Sequence, residues 1–399
     1  MTGPTPRRLW KYVAQRLRLG TYFTAPGDRR QAPQIPARAI VWGLVIGHIL
    51  REDAFAGVEA LVRGAARALA VGRRFSNDTL AYVTARLDPG PTRVALSAVA
   101  RQAKRNKALM GSGWIGLAVD GTATTCLSKP GVECAYCRPL HTADERLLGY
   151  RHEMTVLSIV DAGVTLPCDL ELYGPGDSEH AAGQRVLQRG VAALGSRFAD
   201  FVVVDSKFAT APFLHVAGEL GLHVVARVKD NLPQLLAAAQ ERYVIQHPTA
   251  TFRDGRDEIE VWDADDFEPW SGLRWQKVRV LKYRQRKPTG TIVEAYWLTD
   301  WPVSAVPSAA LYRMAKSRWE IENEVFNVAK TYHGLEHVCH HHGNSIVVSW
   351  LITLLAISIE TLYRLRFLHR GRHPIRAAVD LSRYLRLHLS DRSLRTEPG

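Results

Sequence analysis

WIGLAVD (residues 114–120) and FVVVD (201–205) are two short apolar runs that each end on an aspartate. Both are shorter than a typical helix and rich in residues that suit a pleated surface, so both read as buried strands. Between them, MTVLSIV (154–160) and VTLPCDLELY (164–173) read as two more strands, joined across Asp161-Ala162-Gly163 in a hairpin-like turn. SEHAAGQRVLQRGVAAL (178–194) has helical spacing, and a helix near 210–221 precedes another strand run, HVVARVK (223–229). The order is three strands, helix, strand, helix, strand. Hairpin links early and helical crossovers later require a mixed sheet. The predicted class is α/β, a mixed sheet flanked by helices. Asp120 and Asp205 fall at strand ends, where open α/β sheets commonly place their functional groups.

Outward from this core the texture changes. Residues 1–110 read as helical and basic, with a Pro-rich stretch at 25–36 setting off a short arm. Within them AIVWGLVIGHIL (39–50) and FAGVEALVRGAARALAV (55–71) are apolar at helical spacing. SNDTLAYVTARLD (76–88) opens on an N-cap candidate, Ser76, and stops before Pro89. Residues 250–300 carry β-type segments, EIEVW, KVRVLKY and IVEAYWLT, and from Ser308 the pattern returns to helix. At ~150 residues per domain, 399 residues suggest two to three domains.

Hydrophobic residues at 46% and charged residues at 23% exclude a mainly disordered chain, a collagenous repeat and a disulfide miniprotein. Lys and Arg total 52 against 39 Asp and Glu, and a net charge of +13 favours a polyanionic partner, nucleic acid or an anionic membrane surface. The longest apolar run, Ile346 to Ile359, is 14 residues, short of the ~20 that a bilayer core requires. The first residues carry Arg7, Arg8, Lys11, Arg16 and Arg18 without an apolar stretch behind them, unlike a secretory signal. Five cysteines, an odd and sparse set, suit a reducing compartment, so a cytoplasmic protein is expected.

An aspartate after a strand is by default a turn residue. Two of them in a basic chain point further, because phosphate chemistry uses carboxylates to hold Mg²⁺. A third ligand is expected, and the helix 308–331 offers Glu320, Glu322 and Glu324. At roughly 100° per residue, Glu322 shares the apolar face of Ile321, Val325, Val328 and Ala329, whereas Glu320 and Glu324 fall opposite. An inward carboxylate is costly unless it is paired or metal-bound. Arg318 and Lys330 are the available ion-pair partners, and pairing is compatible with metal binding.

SRWEIENEVFNVAK (317–330), with Tyr312 upstream, resembles the Tyr–Arg–Glu–Lys signature of bacterial insertion-sequence DDE transposases. In that signature two residues separate Tyr from Arg, three separate Arg from Glu and six separate Glu from Lys. Arg318 and Glu322 are separated by three, Tyr312 and Arg318 by five, and Glu322 and Lys330 by seven. AVDGT around Asp120 and VVVDSKFATAPFL around Asp205 are similar to the family's first and second Asp motifs. SNDTLAYVTARLDP, VECAYC, YRHE, ARVK and YHGLEHVCHHHG resemble further blocks in chain order, so the resemblance covers residues 50–360.

The resemblance implies an RNase H-like catalytic domain with Asp120, Asp205 and Glu322 as catalytic residues holding two Mg²⁺ ions, with Mn²⁺ able to substitute. Tyr312, Arg318 and Lys330 would contact DNA phosphates. The implied organisation is a helical N-terminal region for DNA binding or dimerisation (1–110), the first part of the catalytic core (111–232), a β-rich insertion (233–302), the second part of the core with the Glu helix (303–360) and a basic tail (361–399). The implied activity is phosphodiester hydrolysis at transposon ends, then strand transfer of the freed 3′-OH into target DNA. The implied partners are the terminal repeats and target DNA, with a homodimer or higher assembly when ends are paired and no membrane. A fold relative that binds DNA without catalysis, and an RNase H-like nuclease without strand transfer, stay open.

Cys134 and Cys137 have zinc-like spacing, with Cys126, His141 and His152 near enough in sequence to complete a set, against the alternative of two reduced thiols in a loop. His333, His337, Cys339, His340, His341 and His342 form a second group without a metal pattern, and read as surface or DNA-contacting residues. The arm 7–18 and the tail 364–395, with nine Arg and no Lys, are candidates for phosphate contact. A membrane-surface helix over 361–389 is the alternative for the tail. Trp275 or Trp297 could stack a flipped base, although core packing is the default for most of the ten Trp.

Overall fold

A nine-stranded mixed sheet runs through the computed structural model, which describes residues 5–24, 27–111, 113–124, 134–369 and 377–393. Its strands are β1 (Gly116–Ala123), β4 (Glu153–Val160), β5 (Leu166–Tyr173), β6 (Phe201–Val204), β7 (His223–Val228), β8 (Ala250–Asp254), β9 (Asp257–Phe267), β10 (Val278–Arg286) and β11 (Ile292–Thr299). The spatial order is β5-β4-β1-β6-β7-β11-β10-β9-β8. Strands β5, β4 and β1 are antiparallel neighbours, and β6 and β7 then continue parallel to β1. Hairpins can join only antiparallel strands, and the parallel steps need the longer helical crossovers that the sequence supplies. This five-stranded part is the mixed sheet that the sequence pattern predicts.

Strand β6 is a Phe-Val-Val-Val run with every residue buried, as a central parallel strand requires. The turn from β4 to β5 bends through positive φ at Asp161 (52°) and Gly163 (74°). Strand β11 pairs antiparallel with β7, so the β-rich segment 250–299 extends the same sheet as a four-stranded meander. A separate two-stranded hairpin, β2 (Arg138–His141) and β3 (Leu147–Arg151), leaves the sheet between β1 and β4; the sequence reading had no strand there.

The N-terminal helices are α1 (Pro6–Lys11), α2 (Gly20–Thr24), α3 (Ala37–Ile49), α4 (Phe55–Ala65), α5 (Asn77–Thr84) and α6 (Gly90–Arg105). They share one hydrophobic cluster with the sheet. Further along come α7 (Glu179–Leu194), α8 (Ala211–Glu219), α9 (Pro233–Ile245), α10 (Ser308–Lys316), α11 (Arg318–Glu320), α12 (Asn327–Tyr332), α13 (Gly343–Phe367) and α14 (Ala378–Ser393). Ser76 and Ser178 cap α5 and α7, their hydroxyls accepting from Thr79 N and Ala181 N. Helix α7 packs on β1, β4 and β5, and α13 packs on β5, α3, α5 and α6.

Helix α13 is long and apolar enough to cross a membrane, yet 89% of its most apolar stretch is buried inside the protein. A helix that is apolar all round suits a large core equally well. Its Glu360, 1% exposed, meets Arg51 at 2.9 Å and His333 at 3.3 Å. A buried charge is tolerable when partners satisfy it in this way. His333 is therefore a core residue, contrary to the surface role expected for its group.

The Glu-bearing helix is not continuous. Between α11 and α12 the chain makes a π-turn over Ile321–Phe326, which holds Glu322.

Candidate active site

Parallel pairing between β1 and β6 sets Val119 against Val204, the last residue of β6. Asp120 and Asp205 come next on the two adjoining strands. Strand β1 runs on to Ala123, paired only with β4, so Asp120 is inside the strand and not at its end as the sequence reading had it. Asp205 turns into a short 3-10 segment, Ser206–Phe208, its Oδ1 accepting from Lys207 N at 2.9 Å. Both aspartates thus stand where β6 leaves the sheet.

Glu322 reaches the same place from the π-turn. The Nη1 of Arg318 donates to Asp120 Oδ2 at 3.0 Å and forms an ion pair with Glu322 Oε1 at 2.8 Å, linking a strand carboxylate to a helix carboxylate. Asp120 is 7% exposed, and its Oδ1 accepts from Gly121 N at 2.9 Å. Glu322 is less inward than an ideal helix implies, its side chain 42% exposed. Burial pushes the Asp120 carboxyl up, Arg318 pulls it back, and the charges of Asp205 and Glu322 push it up again, to about 7. Asp205 and Glu322 thus lie near enough to act on the charge of Asp120, while its burial does most of the raising.

Glu320, on the other side of the helix, is used structurally. It accepts from Thr165 Oγ1 at 2.8 Å and from Asp161 N at 3.2 Å, clasping the β4–β5 turn. Burial raises its carboxyl.

Two residues near the site were not foreseen. Glu179, in the first turn of α7, pairs with Lys207 Nζ at 3.2 Å. Lys207 is held more firmly protonated, chiefly by Glu179 and also by Asp205 and Asp120. A Cβ on Gly121 would lie 2.1 Å from Glu179 Oε1, so the glycine beside Asp120 leaves room for that carboxylate. The signals available were the cap at Ser178 followed by Glu179, and a lysine two residues past Asp205.

The remaining expected contacts divide. Lys330 Nζ donates to Ala123 O at 2.7 Å, at the end of β1, and pairs with Glu336 at 3.2 Å. Arg318 is buried among carboxylates, which sets it at the site as their partner. Tyr312 is elsewhere: it is 1% exposed, donates to Asp254 Oδ2 at 3.0 Å and meets Tyr283 edge-on at 5.1 Å. Its place is the core beneath α10, which corrects the expectation of DNA contact. Trp297 is likewise fully buried, with no face for a base, and Trp275 is partly buried against the core.

Among the described residues, one group of His, Cys, Asp or Glu has three donor atoms all within 4.8 Å, namely Cys134, Cys137 and His152. Burial pushes the Cys134 thiol up to about 11 and the His152 imidazole down to about 4. His141 is exposed in β2, outside the group, and Cys126 lies outside the described residues. The basic arm is docked by Leu9, Val13 and Leu17, with Arg7, Arg8, Lys11, Arg16 and Arg18 exposed. In the tail, Arg386 binds Leu50 O and Glu52, whereas Arg370, Arg372, Arg376 and Arg395 lie outside the described residues.

The family model of the transposase DDE domain matches residues 115–359, from the start of β1 into α13. The chain belongs to this family. The DDE domain therefore takes in β1, β6, the Glu-bearing helix and the meander between them, and the protein is a DNA transposase. Transposases of this family bind DNA and generally use divalent metal ions. Among solved structures, the chain is similar to a piggyBac transposase in a synaptic complex with hairpin DNA, at 11% identity and a TM-score of 0.48, over 99% of this chain and 82% of that one. No curated protein matches the transposase sequence.

Proposed function

We propose that Asp120, Asp205 and Glu322 are the catalytic carboxylates of this transposase and hold two Mg²⁺ ions, with Mn²⁺ able to replace them. The observation that carries this reading is the adjacency of Asp120 and Asp205 at the register step after Val119 and Val204, with Glu322 joined to Asp120 through Arg318. The donor set fits. It consists of hard oxygens from three elements, and the Asp120 carboxyl, pushed up to about 7 first by its burial and then by the charges of Asp205 and Glu322 against the pull of Arg318, is one that a bound cation would stabilise. When bound, the ions acidify a water, stabilise a leaving 3′ oxygen and neutralise phosphate charge.

The chain's own residues do the rest. Arg318 is a positioning residue, keeping the strand and helix carboxylates at one spacing. Gly121 gives the strand a bare stretch of backbone beside Asp120. Lys330 and Lys207, at the rim, supply positive charge for the scissile phosphate. The reaction is hydrolysis of a phosphodiester at each transposon end, followed by in-line attack of the freed 3′-OH on target DNA. Terminal repeats and target DNA are the partners, in the cytoplasm at the nucleoid, with at least a homodimer when ends are paired. The N-terminal region 1–110 and the basic tail 361–399 supply DNA contacts or dimerisation outside the catalytic core and the 233–302 insertion.

The test is an in vitro reaction with labelled terminal repeats and a target plasmid. Mg²⁺-dependent nicking followed by joining is expected, and Asp120→Asn should abolish both while retaining DNA binding. Nicking without joining would make the protein a nuclease, and binding without nicking would make it a catalytically silent DNA binder. Cleavage retained in Asp120→Asn would overturn the assignment.

A further inference from the structure

The turn Cys134–Cys137 and the start of β4 bring two sulfurs and an imidazole nitrogen together. Cys134 Sγ and Cys137 Sγ are 3.6 Å apart, and His152 Nε2 is 3.3 Å from the first and 3.5 Å from the second. These spacings have a simple interpretation. With Zn–S near 2.3 Å, Zn–N near 2.05 Å and tetrahedral angles, ligands on one zinc stand about 3.8 Å apart for two sulfurs and about 3.6 Å apart for sulfur and nitrogen. A disulfide would need the sulfurs at about 2.05 Å.

The turn itself is shaped for the purpose. Cys137 N donates to Cys134 O at 3.1 Å, folding the two cysteines toward each other, and Cys134 N points at Cys137 Sγ at 3.2 Å. Two glycines make room for it: a Cβ on Gly174 would lie 2.3 Å from the backbone oxygen of Ala135, and one on Gly343 would lie 3.2 Å from Cε2 of the Tyr136 ring. His152 is fully buried, so its imidazole faces the sulfurs and not solvent. His341, in the segment before α13, sets its ring edge-on to His152 with centroids 5.3 Å apart. Two imidazoles on one tetrahedral zinc have centroids about 5 Å apart.

We propose that Cys134, Cys137 and His152 form a structural zinc site, with His341 turning its ring to close the fourth position. Soft sulfur ligands select zinc over magnesium, so this site is chemically separate from the carboxylates. Its position gives it a task. Thr124, the residue after β1, exchanges hydrogen bonds with His152: Thr124 N donates to His152 O at 2.9 Å and His152 N donates to Thr124 Oγ1 at 3.0 Å. The metal pins the cysteine turn, the β2–β3 hairpin and the segment before α13 to the end of the strand that carries Asp120, next to the Ala123 carbonyl that Lys330 holds.

The experiment measures metal, not transposition. Protein purified with zinc, then washed with a chelator that strips weakly held ions, should retain about one zinc per chain by mass spectrometry. Cobalt exchanged into wild-type protein should give the thiolate charge-transfer and visible bands of a tetrahedral sulfur site. Cys134→Ser and Cys137→Ser should lose those bands and at least nine-tenths of the metal, whereas the Cys168→Ser, Cys339→Ser double variant should keep both. Wild-type protein that holds no zinc and shows no cobalt–thiolate band overturns the site, as does a mass two hydrogens light from a Cys134–Cys137 disulfide. An unchanged cobalt spectrum in His341→Ala removes that residue from the ligand set. Because zinc content and spectra are read without DNA, failure here is distinguishable from failure of the carboxylate assignment.

Discussion

Asp120→Asn should do more than stop catalysis: without metal it should make the protein more stable at high pH. The folded protein holds the Asp120 proton up to about 7, against an ordinary value of 3.8. Between those values the folded state keeps a proton that the unfolded chain has lost. Folding stability therefore falls as pH rises through this window, and the deficit is complete above it. At about 1.4 kcal/mol per factor of ten in proton affinity, the full deficit is on the order of 4 kcal/mol, with about 2 to 3 kcal/mol of it between pH 5 and 8. Asn at this position has nearly the same shape and no charge to crowd Asp205 and Glu322.

Guanidinium unfolding followed by tryptophan fluorescence, in EDTA, at several pH values from 5 to 8, reads this directly. The gap between the two proteins should move against wild type by a few kcal/mol over that range. Adding Mg²⁺ at pH 8 should stabilise wild type and leave Asp120→Asn nearly unmoved, because a ligand that binds only the native state stabilises it by mass action. Titrating groups remote from Asp120 are common to both proteins and cancel. A gap constant to within about 0.5 kcal/mol across the range would refute the raised Asp120 carboxyl and the burial and neighbouring charges argued to cause it.

Other outcomes follow from particular contacts. Gly121→Ala puts a methyl against the Glu179 carboxylate beside Asp120; cleavage should fall roughly a hundredfold while the unfolding midpoint barely shifts, and unchanged cleavage would show that the bare backbone is not needed. Arg279→Ala strands the fully buried Asp263, which Arg279 holds at 2.5 Å, so denaturant unfolding should show a loss of about 3–5 kcal/mol. Tyr312→Phe removes the hydroxyl bonded to Asp254; it should cost about 1 kcal/mol of stability with DNA affinity unchanged, whereas a DNA-contacting tyrosine would show the reverse.

What was legible in the sequence was whatever local pattern controls. The Val-rich runs before Asp120 and Asp205, the hairpin turn at Asp161-Ala162-Gly163 and the caps at Ser76 and Ser178 are short-range signals, and the sheet follows from their order. Pairing partners are long-range and were not legible. Nothing in EIEVW or IVEAYWLT says that β11 will join β7 and carry the meander onto the same sheet. Burial misled in the same way. Tyr312 looks from the sequence like a polar-edged aromatic available for DNA, but it is buried against Tyr283 and Asp254 of the meander, and that enclosure exists only once the meander has joined the sheet. The cysteine pair was visible by spacing, with Cys126, His141 and His152 all near enough to join it, and the fold, which bridges His152 to Thr124 at the end of β1, selects His152 over the exposed His141.

The spacing of the Glu-bearing helix shows a local pattern and a tertiary demand being reconciled. Arg318 and Glu322 keep the separation of the signature they resemble, and one guanidinium nitrogen spans from Glu322 to Asp120. Lys330 comes one residue later than the signature places it. On a regular α-helix a seventh residue onward returns to within roughly 20° of the start, while an eighth is rotated roughly 80° away. Lys330 would then point off the face that Glu322 uses. The π-turn over Ile321–Phe326 lies between the two and takes up one extra residue in a single turn. With that residue absorbed, Lys330 comes back toward the face of Glu322, where its ammonium reaches the Ala123 carbonyl at the end of β1. Glu320, before the π-turn, keeps the opposite side that a regular helix gives it and clasps the β4–β5 turn, while Glu322, inside the π-turn, is half open to solvent. The irregular helix and the irregular spacing are one feature, and both keep the glutamate and the lysine aimed at the strand of Asp120.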